Sequence, residues 1–184
     1  MQTDVLEASH ISVYDEGFGL PKILVIGCGG AGNNAVSRLA LSGLSGARTL
    51  AINTDRQQLE AARAEEKILI GRNLTRGMGA GGDPDMGRRA AEQAAPELEG
   101  ILRGADLVFV LAGLGGGTGT GSAPVIARLA RERGAIVVAL VTTPFHLEKA
   151  RVFAAEEGLE LLRSYADTAI VMDNNRLLRC APHL

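Results

Sequence analysis

Residues 105–127 read ADLVFVLAGLGGGTGTGSAPVIA, and this stretch decides the fold. Asp106 to Ala112 carries almost only apolar side chains, the pattern of a strand covered on both faces. Residues 121–133 have the composition of a helix. Between them, Gly113-Leu-Gly-Gly-Gly-Thr-Gly-Thr-Gly121 is mostly glycine. A glycine in a regular element costs roughly 0.5–1 kcal/mol relative to alanine. Packing is not expected to require so many, so the run reads as a row of backbone N–H donors flanked by the Thr118 and Thr120 hydroxyls. Such a row suits a di- or triphosphate.

Upstream, the same grammar repeats. Lys22 to Ile26 is a short apolar run, and Gly27-Cys-Gly-Gly-Ala-Gly-Asn-Asn34 follows it. Ala31 to Ser42 then reads as a helix with Ala35, Leu39 and Ala40 on one face. This strand–glycine–helix passage is a second phosphate loop, because a helix start adds a favourable dipole to its free N–H groups. Gly27, Gly29 and Gly32 also fit the GxGxxG dinucleotide pattern, with Asp55 at about the expected ~20 residues further on. That pattern alone points to an NAD-binding oxidoreductase domain. A second loop of the composition 113–121 is not needed by such a domain. A third stretch, Gly77-Met-Gly-Ala-Gly-Gly-Asp83, offers more donors for a terminal phosphate. The GxxxxGKS/T pattern is missing, and none of the three lysines (Lys22, Lys67, Lys149) follows a glycine loop. Backbone amides are therefore expected to do the work of a phosphate-loop lysine.

The remaining chain alternates strand and helix. Strands are expected at 49–53, 67–70, 135–141 and 168–172, and helices at 56–64 and 148–164, with a loop at 71–82. Asp83-Pro84 marks a helix start running towards Arg103, broken at Pro96. Alternating elements with apolar strands imply an α/β fold: a three-layer, Rossmann-like parallel sheet with helices on both faces. Residues 1–20 read as a tail or short docking helix, and 21–184 as one domain.

Composition narrows the function classes. The formal net charge of −2 lacks the basic footprint of a nucleic-acid binder. Cys28 and Cys180 are too few for a disulfide framework, which fits a reducing, cytoplasmic location. His10, His146 and His183 are scattered and no cysteine has metal-ligand spacing, so no protein-built metal site is expected. No apolar run reaches the roughly 20 residues of a membrane span.

At this point the motifs resemble those of a known family. GGGTGTG (115–121) resembles the signature of the tubulin and FtsZ superfamily. VIGCGGAGNN (25–34), AINTD (51–55), ILIGRNLTRGMGAGGDPDMG (68–87) and 105–127 are most similar to archaeal FtsZ, in the same order, over about residues 21–180. The resemblance implies the GTP-binding domain of a cytoskeletal GTPase that polymerises head to tail in prokaryotic cell division. It implies GTP or GDP as ligand, with Mg2+ accompanying GTP.

It also implies roles for particular residues. Gly29, Gly30, Ala31, Gly32, Asn33 and Asn34 match the first phosphate loop. Asn53 and Asp55 match the loop near the terminal phosphate and magnesium. Ala80, Gly81 and Gly82 match the third loop, and Gly115, Gly116, Gly117, Thr118, Gly119, Thr120 and Gly121 the signature loop. Pro144 and Glu148 match the sugar-binding loop, with Glu148 on the ribose hydroxyls. Arg151 would lie over the nucleotide, and Asn174 would read the guanine edge. The sequence departs from the family at Lys149, where a glycine is usual, and at Arg151, which lies three rather than four residues after Glu148. It departs again at Asp173, usually proline, and at Asn175, usually aspartate. The chain ends at Leu184, early in the family's central helix. The resemblance puts the catalytic acidic loop beyond that point, so the 184 residues are expected to bind nucleotide but to hydrolyse it weakly or not at all. Head-to-tail association with FtsZ-like subunits, a homodimer through an exposed C-terminal region and a non-enzymatic filament-capping role are the further expectations.

Overall fold

The computed structural model describes residues 19–176. Strands β1 (Ile23–Cys28), β2 (Ala47–Asn53), β3 (Glu66–Leu69), β4 (Leu107–Gly113), β5 (Ile136–Thr143) and β6 (Thr168–Asp173) form one parallel sheet in the order β3-β2-β1-β4-β5-β6. The connections are α1 (Gly29–Leu41), α2 (Arg56–Ala61), α3 (Arg72–Thr75), α4 (Pro84–Gln93), α5 (Ala95–Leu102), α6 (Thr118–Glu132) and α7 (Lys149–Tyr165). The tail reading of 1–20 and the start of a central helix fall largely outside the described residues.

The larger core lies on one face of the sheet. Ile26, Ile52, Val108, Val110, Val137 and Val141 meet Leu98 and Leu102 of α5, Ile126 of α6 and Leu162 of α7. On the other face Val25 and Leu111 pack with Val36 of α1, and Ala51 packs with Leu59 of α2. The α1 face is therefore set by Gly29, Gly32, Asn33 and Val36. Leu39 and Ala40, expected to point inward, are exposed. The reason is that α1 presses its glycines, not its larger apolar residues, onto the sheet. A Cβ on Gly32 would stand 2.2 Å from the Leu111 carbonyl oxygen.

Coverage on the α1 side is incomplete. Among the described residues no helix lies over β5 and β6 there, leaving Ile136 58%, Ile170 49% and Met172 51% exposed. β5 and β6 accordingly alternate in burial along their length.

Three boundaries also differ from the sequence reading. The 71–82 segment contains the single turn α3, flanked by left-handed Gly71 and Arg76. Helix α1 begins at Gly29 directly after β1, and α6 begins at Thr118, so much of each glycine run is strand end or first helical turn. The Asp83-Pro84 start holds: the Asp83 carboxylate accepts the Asp85 N–H at 2.9 Å. Pro96 sits at the start of α5, where a missing N–H costs no helix bond.

The close crossing of α4 and α6 rests on glycine. A Cβ on Gly121 would lie 2.0 Å from the Pro84 carbonyl oxygen, and one on Gly87 2.4 Å from that of Gly117. Gly121→Ala is expected to destabilise the domain by about 1–3 kcal/mol through overpacking. Gly100→Ala, where nothing lies within 4 Å of the added methyl, is expected to stabilise it by a few tenths to about 1 kcal/mol. Urea unfolding of both variants checks the pair; equal effects would remove the packing account.

Candidate nucleotide site

The sheet order makes β1 the point from which the chain proceeds in two directions. The connection after β1 goes to α1 on one face, and that after β4 goes to α6 on the other. β1 and β4 are hydrogen-bonded neighbours, so both helices start side by side at the carboxyl edge. Crevices at such switch points are where open α/β sheets bind ligands.

Neither helix start carries a side-chain cap. Cys28 before α1 and Gly117 before α6 make no capping hydrogen bond, and neither first turn holds an acidic residue. The first-turn N–H groups of Gly29 to Ala31 and Thr118 to Thr120 have no carbonyl within their helices to donate to. By contrast α2 and α4 are capped by Asp55 and Asp83. Two uncapped ends together form a concentrated positive potential with free donors, the arrangement that receives an anion.

They open into a cleft of about 490 Å³. Its walls include Gly30, Ala31, Asn53, Asp55, Ala80, Gly81, Gly82, Gly116, Gly117, Thr118 and Gly119. Pro144, Glu148, Arg151 and Asn174 close the other end. These come from the five connections between strands and from the end of β6, along one sheet edge. The 77–82 loop is pinned by Arg56 N–H to the Gly77 carbonyl at 2.9 Å and by Gly79 N–H to the Thr54 carbonyl at 3.1 Å. It is drawn against the signature loop because Gly117 has no side chain: a Cβ there would meet Ala80 and Asp83 at 2.8 Å. The Thr54 and Thr118 hydroxyls lie 2.7 Å apart and join the β2 and β4 connections.

Several expected residues stand behind this wall instead of on it. Gly29, Gly32, Asn33, Asn34, Gly115, Thr120 and Gly121 do not line the cleft. Gly29 has φ +70° and abuts Gly119, where a Cβ would come within 2.8 Å of its nitrogen. Gly115 has φ +96° and lies against the Arg151 carbonyl oxygen, which a Cβ would approach to 2.8 Å. Thr120 accepts the Gly115 N–H at 2.8 Å and shapes the loop. Asn33 is buried with neither side-chain polar atom paired, and Asn34 is exposed on α1. The premise that packing does not call for so many glycines is thus corrected. Most serve backbone-to-backbone approach, and Gly116 is the signature-loop glycine with open space beside it.

The charged groups of the cleft are nearly all engaged. Asp55 Oδ1 accepts the Gln58 N–H at 3.0 Å and Oδ2 the Gln58 side-chain amide at 3.2 Å. Glu148 accepts the Phe145 N–H at 3.2 Å and Arg151 Nη1 at 2.7 Å. Arg151, placed in doubt by its spacing, reaches the cleft through this i,i+3 pair and is its one lining cation among the described residues. Burial pushes the Cys28 thiol up to about 12, partly opposed by its hydrogen bond with Ser122, so it is an inert wall atom. No group of three or more potential metal-ligating side chains occurs among the described residues.

Sequence reasoning missed Gln58, Met78, Gly79, Leu114, Thr142 and Thr143, which also line the cleft. The two threonines had a usable signal: they end β5 on the carboxyl edge already occupied by the other loops. Met78 and Leu114 lie inside the glycine stretches already singled out, where nothing in an apolar side chain marked them as lining a polar rim.

Comparison with known proteins agrees with this geometry. Residues 22–182 match the family model described as Tubulin/FtsZ family, GTPase domain. The chain is 57% identical over 183 residues to cell division protein FtsZ 2 of Methanocaldococcus jannaschii, covering 98% of this chain and 48% of that protein. It is 59% identical over 167 residues to FtsZ 2 of Halobacterium salinarum, covering 91% and 42% respectively. An empty FtsZ dimer from M. jannaschii superposes with a TM-score of 0.87 at 52% identity, over 89% of this chain and 48% of that one. CetZ2 from Haloferax volcanii, solved as a GTPγS-bound protofilament, superposes with a TM-score of 0.72 at 30% identity, over 84% and 49%. The chain thus spans about half the length of these relatives. The oxidoreductase reading of the dinucleotide pattern is overturned by these matches, which run over residues 22–182 and are to FtsZ proteins. The fold, the cleft and the comparisons place the chain in the Tubulin/FtsZ family, as its GTPase domain.

Proposed function

We propose that the cleft binds a guanine nucleotide and that the chain is the nucleotide-binding part of a cytoplasmic cell-division GTPase assembling head to tail with FtsZ-like subunits. The observation that carries this reading is the pair of uncapped helix starts at Gly29 and Thr118 facing one cleft. The phosphates lie on the N–H groups of 30–31 and 116–119, with Ala80 to Gly82 at the terminal phosphate. The sugar lies at Pro144 and Glu148, and Asn174 meets the base. The cleft is lined by one arginine, paired with Glu148, and by no lysine among the described residues, so backbone dipoles must offset much of a triphosphate's charge. Asp55, beside the Thr54 and Thr118 hydroxyls, fits a Mg2+ ion held mainly by the phosphates, a cation that takes one or two carboxylates in such sites. The ion would supply further charge neutralisation there.

Phosphoryl transfer to water needs the water positioned as well as the phosphate held. The lining carboxylates, Asp55 and Glu148, are occupied by Gln58 and Arg151. In this reading a neighbouring subunit supplies the acidic group. The bare β5–β6 surface offers a route to self-association, since contiguous exposed apolar area favours a partner.

Three outcomes are expected. Chromatography of what the purified chain releases on denaturation, and calorimetric titration of the folded chain with GTP, GDP, ATP and NADH, should reveal guanine-selective binding; NADH binding without guanine binding would reverse the assignment. The chain as a monomer should release phosphate from GTP slowly or undetectably in a coupled assay, and robust turnover would contradict the supply of the acid by a neighbouring subunit. Size-exclusion at rising concentration should show dimer formation, and a monomer throughout would remove the self-association reading.

A further inference from the structure

The turn that carries Glu148 has little of its own to hold it. It leaves β5 after Thr143 and exposes its tip, with Leu147 92% exposed. Inside the turn, the Glu148 N–H donates to the Phe145 carbonyl at 2.9 Å and Glu148 accepts back from the Phe145 N–H. What ties it to the sheet comes from the end of the neighbouring strand. β5 and β6 pair in register with Thr143 opposite Asp173. Two residues on, the Asn175 side chain reaches across: its Oδ1 accepts the His146 N–H at 3.0 Å, and its Nδ2 donates to the Pro144 carbonyl at 3.4 Å. The same Nδ2 donates to Asp173 Oδ1 at 2.7 Å, and the Asn175 N–H donates to that oxygen at 2.9 Å.

This arrangement requires an amide. His146 presents a donor, while Pro144 and Asp173 present acceptors, so position 175 must accept and donate at once. An ionised carboxylate there loses both donations and faces the Asp173 carboxylate. The Asn175 side chain, then its backbone N–H, hold the Asp173 carboxyl below the usual carboxylate range, so it stays an acceptor in mild acid. His146 from the turn and Arg176 after β6 lie close enough to act in the same direction, and Glu156 of α7 borders the small cavity beside them.

We propose that Asn175 is a positioning residue for the nucleotide site, an amide clamp fixed by Asp173 that holds the Pro144–Glu148 turn where Glu148 and Asn174 enter the cleft. The proposal rests on the nucleotide reading of that cleft. It adds a residue that does not line the cleft to those that determine affinity at its sugar and base end.

The test compares GDP affinity of the wild type, Asn175→Ala and Asn175→Asp by calorimetry from about pH 5 to about pH 8. Each variant is referred to the wild type at the same pH, so that titration of the nucleotide cancels. His146 amide exchange is followed without nucleotide. Asn175→Ala should weaken GDP about tenfold at every pH, from the loss of these hydrogen bonds. Asn175→Asp should be as weak at about pH 8 and recover towards pH 5, because one of two adjacent carboxyls then holds a proton and donates it. That recovery also shows the variant to be folded. His146 exchange should accelerate in both variants at about pH 8. Wild-type affinity in both variants, or unchanged His146 protection in a GDP-binding Asn175→Ala chain, would overturn the clamp. A wild-type chain that binds no GDP would overturn the nucleotide reading and the positioning role with it.

Discussion

The structure depends on two helices beginning, uncapped, at adjacent strands on opposite faces of one sheet. β1 is paired with β4 from Ile23 to Cys28, so the helix starts at Gly29 and Thr118 open towards the same crevice. A helix start without side-chain acceptors is a local deficit: its first N–H groups are left to water or to a ligand. Placing two such deficits together is unfavourable in an empty protein and favourable once an anion bridges them. The rest of the carboxyl edge completes a container around that point.

Bringing the loops this close is a steric problem before it is an electrostatic one. Gly29 against Gly119, Gly32 against Leu111, Gly117 against Ala80 and Asp83, and Gly121 against Pro84 each allow an approach that a single methyl group would block. The glycines thus act one step before the ligand. They let backbones touch, and the touching backbones aim the free amides. A site of this kind carries its charge complementarity in dipoles, not side chains. This agrees with a lining that has Arg151 as its one cation among the described residues, already paired to Glu148.

The layered α/β fold, the glycine loops at the strand ends and the break at Pro96 were legible in the sequence because they are local: apolar runs, glycine punctuation and an Asp-Pro start. Less legible was anything that depends on what lies across a gap. The periodicity of α1 pointed to Leu39, whereas the helix turns Gly32 and Val36 inward because it must approach Leu111 closely. Thr120 looked like a phosphate ligand by its place in the motif, but it lies behind the cleft wall, where its hydroxyl accepts the Gly115 N–H. The role of Asn175 could not be read at all, since its partners Pro144 and His146 lie about thirty residues away and meet it only through the pairing of β5 with β6.

The most direct test of the central claim is amide NMR of the 15N-labelled chain with and without GDP. If the uncapped helix starts hold the phosphates, the amide signals of Gly30, Ala31, Gly116, Thr118 and Gly119 should shift most, with guanosine leaving them nearly unmoved. Large shifts confined to other residues, or the same shifts with guanosine as with GDP, would contradict it.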